Sequence, residues 1–242
     1  MRMNIPLAPS RGVTLIELAI ALLVIGLVLG SGLSLIGTQL EQQKFKETQR
    51  TLEEIKEALL GYAVSQTPPH LPCPDKTAAG GAGTANDGQE DFNAATGVCV
   101  IQEGNIPWAS LGVAQADAWG RRIHYRVSNN FSNRTPAASM TLASAANLRV
   151  CQAAGCAVVT SNGVPAVVLS FGKNGFGAIT AAGAALPAPV GVDEIENSNL
   201  NGDFVSRNPT SADAAAGEFD DVVSWLPSAI LFNRLVAAGK LP

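Results

Sequence analysis

From Leu18 to Leu40 the chain carries no charged residue, and this one run limits what the rest can fold into. A helix needs about 20 apolar residues to cross a hydrocarbon core roughly 30 Å thick, so the run predicts a single membrane-spanning helix. The leader before it, MRMNIPLAPSRG, holds Arg2 and Arg11 and no acid. By the positive-inside bias the N-terminus stays in the cytoplasm and the remainder of the chain faces outward. One acid sits at the start of this apolar stretch: Glu17, within RGVTLIELAIALLVIGLVLG. A carboxylate at membrane depth is costly unless paired, so it marks a function whose partner must be found. An ordinary secretory signal would end in a small-residue cleavage site, whereas this chain runs on into a charged, helix-forming stretch.

That stretch, EQQKFKETQRTLEEIKEALLGYAVSQ, keeps helical period, with Phe45, Leu52, Ile55, Leu59 and Tyr62 on one face. Arg50 stands three or four residues from Glu47, Glu53 and Glu54, and each such pair adds only tenths of a kcal/mol. Pro68-Pro69 ends the helix. A continuous helix from Val13 to Gln66 would be roughly 80 Å long, apolar all round in its first half and one-sided in its second. The expected organisation is a leader over 1–12, an apolar helix over 13–40, its amphipathic continuation over 41–67 and a head over 68–242.

The chain of 242 residues is 47% hydrophobic, enough to bury a core in that head. A net charge of −4 with no basic block gives no nucleic-acid-binding face, and no nucleic-acid partner is expected. Cys73, Cys99, Cys151 and Cys156 all follow the apolar run, an even number in the exported part, which predicts two disulfides. Three pairings are possible. Cys73–Cys99 with Cys151–Cys156 is favoured, because CQAAGC closes as a small local loop and the other pair ties down a long glycine-rich one, a closure of about 3 kcal/mol. A zinc site is not expected, since there is no C-x-x-C pair and His70 and His124 lack ligand spacing. GGAGTANDG lacks both phosphate-cradle patterns, and no catalytic motif such as H-E-x-x-H or G-x-S-x-G is present, so no enzyme is expected.

The residues RG-VTLIE resemble the class III leader of type IV pilins and type II secretion pseudopilins. The resemblance implies cleavage by prepilin peptidase between Gly12 and Val13 and methylation of the new amine of Val13. It makes Glu17 the assembly residue, whose carboxylate meets the Val13 amine of a neighbouring subunit. Such a pair would fix register, because any slip leaves both charges unpaired. Two features depart from the family pattern: Val13 stands where Phe is usual, and the apolar run has no proline but carries Gly26, Gly30, Gly32 and Gly37.

A second resemblance lies in GNIPWASLGVAQADAWGRRIHYRV, which looks like the pseudopilin P-x-x-x-L-G and D-P-W-G-x-x-x-x-Y signature. The matching residues are Pro107, Leu111, Gly112, Asp117, Trp119, Gly120 and Tyr125, with Ala118 in place of proline. Asp117 and Gly120 suit a turn, and RRIHYRV alternates as a strand with Ile123, Tyr125 and Val127 on one side and His124, a surface or edge histidine, on the other. VPAVVLSFGKNG and FDDVVSWL read as two further strands, with more expected near Met140–Leu142 and Leu148–Val159. VPAVVLSFGKNG and FDDVVSWL loosely resemble a region that binds calcium in major pseudopilins, which would involve Asn174, Asp220 and Asp221. On their own these residues suit a plain turn, and no cofactor is assigned. The segment from Ala181 to Phe219 reads as a surface insertion or a contact surface. PSAILFNRLVAAGKLP predicts a short terminal helix capped by Ser228 and stopped by Gly239.

The expected fold is α+β: a long N-terminal helix, its first half spanning the membrane, packed against an antiparallel sheet in a pilin-like head. The resemblance implies a filament subunit, anchored in a bacterial inner membrane with its head in the periplasm before assembly. Its partners would be copies of itself or other pilins and pseudopilins, the prepilin peptidase, the inner-membrane assembly platform and the lipid bilayer. The alternative is a minor tip pilin or adhesin-type binding module of a pilus or DNA-uptake machine.

Overall fold

The computed structural model describes residues 12–242, with the backbone alone described over residues 28–36. The leader over 1–11, including Arg2 and Arg11, lies outside the described residues. Contacts divide the chain into two units, Met1–Gln43 and Lys44–Pro242, so the boundary falls three residues beyond the expected end of the apolar segment. The first helix, α1 (Leu15–Ser65), contributes to both.

In the first unit the apolar side chains described from Val13 to Leu27 are all exposed, Leu15 by 89% and Leu27 by 69%. Among the described residues, no helix is long and apolar enough to cross a membrane. Residues 28–36 at the centre of the uncharged run belong to the helix, but their side chains lie outside the described residues.

The second unit is mixed α and β, built in three layers. Its middle layer is a four-stranded antiparallel sheet of β3 (Glu103–Asn105), β4 (His124–Val127), β7 (Ala166–Ser170) and β9 (Val222–Leu226), in that spatial order. The alternation of strand side chains between faces decides what lies above and below it. Ala166 and Val168 of β7 face a core shared with Leu52, Ile55 and Leu59 of α1 and with Leu231 and Leu235 of the terminal helix α5 (Ser228–Ala237). Val167 and Leu169 face the other way, into a second core with Leu148, Val150, Val164 and Phe204. Every residue of β7 is therefore buried, as a strand covered on both faces must be.

The second core belongs to a three-stranded sheet of β5 (Leu148–Cys151), β6 (Val159–Val164) and β8 (Asp203–Val205). β5 pairs antiparallel with β6 and parallel with β8, so the head is not purely antiparallel as expected. A further small pair, β1 (Phe92–Asn93) with β2 (Val98–Cys99), closes the glycine-rich loop. Cys73 and Cys99 are bonded with Cα atoms 5.2 Å apart, and so are Cys151 and Cys156, the pairing favoured from spacing.

Four local expectations need correcting. Met140–Leu142 forms no strand; Met140 is buried as a plug while its neighbours turn. The strand expected over Leu148–Val159 is two strands joined by the disulfide hairpin. His124 is neither a surface nor an edge residue: β4 is an inner strand, and its imidazole Nε2 lies 2.8 Å from Glu103 Oε1. Ser228 does not cap α5, because Pro227 holds that position and the Ser228 hydroxyl donates to the Gly163 carbonyl at 2.6 Å. Gly239 does follow the helix end, at φ 66°.

The segment from Ala181 to Phe219 is built into the head and is not a free excursion. It contains α4 (Val192–Glu196) and β8, and β8 completes the second sheet beside β5.

Candidate functional site

Among the described residues, the polar chemistry that bears on the expected sites gathers at one place in each unit. The first is the start of α1. Gly12, Val13 and Thr14 are exposed and non-helical, and the helix begins at Leu15. Glu17 N–H donates to Thr14 Oγ1 at 3.3 Å, while Glu17 Oε2 accepts from the Thr14 N–H at 3.2 Å and from the Thr14 hydroxyl at 3.0 Å. This reciprocal arrangement is a capping box, and it satisfies two helix-end donors that would otherwise be orphaned. The T-x-x-E pattern that makes it, Thr14 to Glu17, is legible in the sequence. Both side-chain bonds end on Oε2, and Oε1 has no partner among the described residues.

The second place is a cluster of acids at one end of the central sheet. The turn after β7 brings Gly172 to φ 56°, where a side chain's first carbon would stand 2.1 Å from the Asp220 carbonyl oxygen. Only glycine lets the two backbones approach this closely. Asp220 and Asp221 lead into β9, and Glu194 reaches the same spot from α4. One carboxylate oxygen from each of Glu194, Asp220 and Asp221 lies within 4.8 Å of the others.

Neighbouring groups hold the carboxylates from their outer sides. The Asn174 N–H donates to Asp220 Oδ2 at 2.7 Å, and the Asn174 side-chain amide donates to Glu194 Oε1 at 3.0 Å. Asp220 N–H donates to the same Glu194 oxygen at 3.3 Å. Asn197 donates to Asp221 Oδ2 at 2.8 Å and also grips β8 through the Val205 N–H and carbonyl. Each acid keeps one oxygen that these bonds leave unsatisfied: Glu194 Oε2, Asp220 Oδ1 and Asp221 Oδ1. Glu194 is 1% exposed and Asp221 3%.

Burial raises all three acids above the ordinary carboxylate range, Asp220 to about 6 and Asp221 well above its usual value. Burial is the dominant cause in each case; nearby hydrogen bonds oppose it, and repulsion from neighbouring acids, Glu218 among them, adds to it. The Arg121 guanidinium is turned to the carbonyls of Gly172 and Lys173, at 2.5 and 2.6 Å, and eases the charge on Asp220 only slightly.

Three clustered carboxylates, two of them buried and one half-buried, form a donor set that a hard cation can use. Their separation is one that metal–oxygen distances of roughly 2.3–2.6 Å can bridge. The donor set of oxygens with no sulfur or imidazole selects calcium or magnesium over zinc. Of the residues expected from the sequence, Asp220 and Asp221 are brought together here; Asn174 sits beside them, but its side-chain oxygen accepts the Phe176 N–H at 3.0 Å and its role is to position the acids. Glu194 and Asn197 were not foreseen. VDEIEN shows a run of acids, but nothing in a single sequence places α4 against β9.

The DAWG segment lies behind the pocket. Asp117 Oδ1 accepts the N–H groups of Trp119 and Arg121, its Oδ2 accepts the Ser170 hydroxyl at the end of β7, and Ala118 N–H donates to Thr48 Oγ1 on α1. The expected turn is therefore a joint between α1, β7 and the arginine that holds the Gly172 turn. Comparison of the chain with protein-family models, with curated proteins and with solved structures finds no match to any of them.

Proposed function

We propose that the chain is a subunit of a pilin- or pseudopilin-type filament, held in a membrane by its N-terminal helix before assembly and in the fibre by the same helix afterwards. The carrying observation is the start of the chain. A basic, acid-free leader, Gly12, an acid five residues later and an uncharged run coincide there, and the apolar side chains described over Val13–Leu27 are exposed. An apolar surface of that extent calls for lipid or another protein. The Gly12–Val13 bond lies in the exposed, non-helical stretch ahead of α1, where a peptidase that needs extended backbone can reach it.

Glu17 supports the same proposal. Thr14 uses one of its oxygens, which leaves Oε1 for the amine of Val13 on a neighbouring subunit. A carboxylate already fixed by a capping box offers its second oxygen in a defined direction, so the pairing would set the register of one helix against the next. In the head, the acidic pocket is a calcium site: three negative groups favour a divalent ion, and a buried pocket suits calcium better than magnesium, which retains its waters.

The direct test is mass spectrometry of the protein from cells with and without a prepilin peptidase. The expected product begins at a methylated Val13 and appears only with the peptidase. An intact leader in peptidase-containing cells would contradict the proposal.

A further inference from the structure

His70 is buried just beyond the C-terminal end of α1, with 4% of its surface exposed. Its Nδ1 lies 2.8 Å from the Pro68 carbonyl oxygen, which can only accept, so Nδ1 carries the ring's proton. Nε2 is buried and has no partner among the described residues. A second proton on this ring would therefore place a charge and an unpaired N–H inside the fold, a change that burial makes costly. We propose that His70 is an acid-sensitive pin: while its ring is neutral it fills the joint between the end of α1 and the Cys73–Cys99 loop, and taking up a second proton opens that joint.

Among the described residues the titratable groups around the ring are Tyr62, Glu90 and Arg134, and each is bonded elsewhere. Tyr62 of α1 meets the imidazole edge-on, ring centres 5.9 Å apart, and donates its hydroxyl to Glu90 Oε1 at 2.6 Å. Glu90 Oε2 accepts the Cys73 N–H at 3.2 Å and pairs with Arg134. Arg134 stacks over Phe92 of β1 at 3.6 Å and donates its backbone N–H to the Gly97 carbonyl at 3.1 Å. On the chain just before the histidine, Lys240 of the C-terminal tail donates to the Gln66 carbonyl at 3.0 Å and the Thr67 hydroxyl at 2.9 Å. The cluster thus ties together the end of α1, the disulfide-bonded loop and the β1–β2 pair. Burial holds the imidazole below its ordinary value of 6.5; the Pro68 carbonyl opposes this, Arg134 adds to it and Glu90 opposes it. A histidine whose folded value is depressed lends stability that is full above 6.5 and is lost as pH falls below it. By that linkage, acidification to pH 5 favours the open joint by up to about thirtyfold over neutral pH. Asp75 and Asp91 under the same loop are raised by burial and act in the opposite sense, so the pin is read as a difference between parent and variant. The joint lies within Lys44–Pro242 and does not depend on the filament proposal; in an exported head it would sense the pH of the medium.

The test uses the full chain in detergent, with two measurements between pH 7.5 and pH 5. Amide hydrogen exchange over residues 67–75 and 90–99, corrected for the intrinsic pH dependence of exchange, reads the joint. NMR of histidine-labelled protein reads the imidazoles directly, because the chain has two, His70 and His124. In the parent, opening at pH 5 should rise several-fold relative to His70→Gln, and by no more than about thirtyfold. His70 itself should stay neutral below the pH at which a free imidazole titrates. Residues 222–226 of the central sheet should show no such difference. His70→Phe, which keeps a ring but cannot titrate, should match His70→Gln. Equal acid opening in the parent and in both variants would overturn the proposal. So would a parent His70 that titrates at its ordinary value while the joint stays closed, a result that can be read even where neither variant folds. Leader processing is unaffected by either result and judges the filament proposal separately.

Discussion

The two ends of α1 are made of similar residues and meet opposite fates. From Lys44 onward, Leu52, Ile55 and Leu59 vanish into a core with the central sheet and α5. In the other unit, Leu15, Leu22 and Leu27 stay exposed. Helix formation does not separate them, since both are helical. What separates them is pattern: a one-sided apolar stripe can be covered by a single head, whereas a helix apolar all round needs cover on every side, which one chain does not supply. The C-terminal end is therefore a folding element, and the proposal makes the N-terminal end an assembly element.

Substitutions at the two ends should differ in effect. Leu59→Ala, which empties part of the core, should lower head stability by about 2–5 kcal/mol, read as the midpoint of urea unfolding. Leu22→Ala should shift the same midpoint by less than about 0.5 kcal/mol. Equal losses would overturn the contrast between the two ends of α1.

Within the head, removing Cys73–Cys99 should cost about 3 kcal/mol, and removing Cys151–Cys156 about 2 kcal/mol, because the shorter loop restrains the unfolded chain less. Unfolding of the double-serine variants of each pair measures both.

The pH dependence sharpens the contrast between the two buried acidic regions of the head. Asp220 and Asp75 are each raised by burial to about 6. A group whose folded value lies above its unfolded value binds protons more tightly when folded, so its contribution is full below about 4 and is lost as pH rises through about 6. Metal-free head should therefore melt at lower temperature at pH 7.5 than at pH 5. Calcium should restore the part due to Glu194, Asp220 and Asp221 and leave the part due to Asp75, which lies away from that pocket beneath the glycine-rich loop and accepts the Gly88 N–H at 3.2 Å. Melting curves at both pH values, with calcium and with chelator, separate the two. At the capping box the effect is local: Thr14→Ala should loosen the first turn of α1 by about 1 kcal/mol, seen as faster amide exchange at residues 15–18 and no change in the head.

Much of this was readable before any coordinates. Periodicity placed the buried face of α1, spacing favoured the right cysteine pairs, and the alternation in HYRV gave β4 with Tyr125 inward. The misses share a cause. β8 is three residues long and owes its pairing to β5, more than fifty positions earlier; no local pattern announces such a strand. Glu194 looked like one more acid in a polar stretch, because its meaning comes from Asp220 and Asp221 across the fold. His124 was misjudged because an alternating pattern tells which face a residue takes but not whether a second sheet or a glutamate waits there. The capping box was the exception, a local signal that was present and outweighed by a louder one.

The central claim is that the exposed apolar helix and Glu17 exist to join one copy to the next. Filament yield settles it most directly: Glu17→Leu and the parent chain, produced with a prepilin peptidase and an assembly platform, compared by sheared-filament recovery and by electron microscopy. The account predicts that the Glu17→Leu protein reaches the membrane and keeps a folded, disulfide-bonded head but yields at least tenfold fewer filaments. Filaments of normal number and order from Glu17→Leu would contradict it.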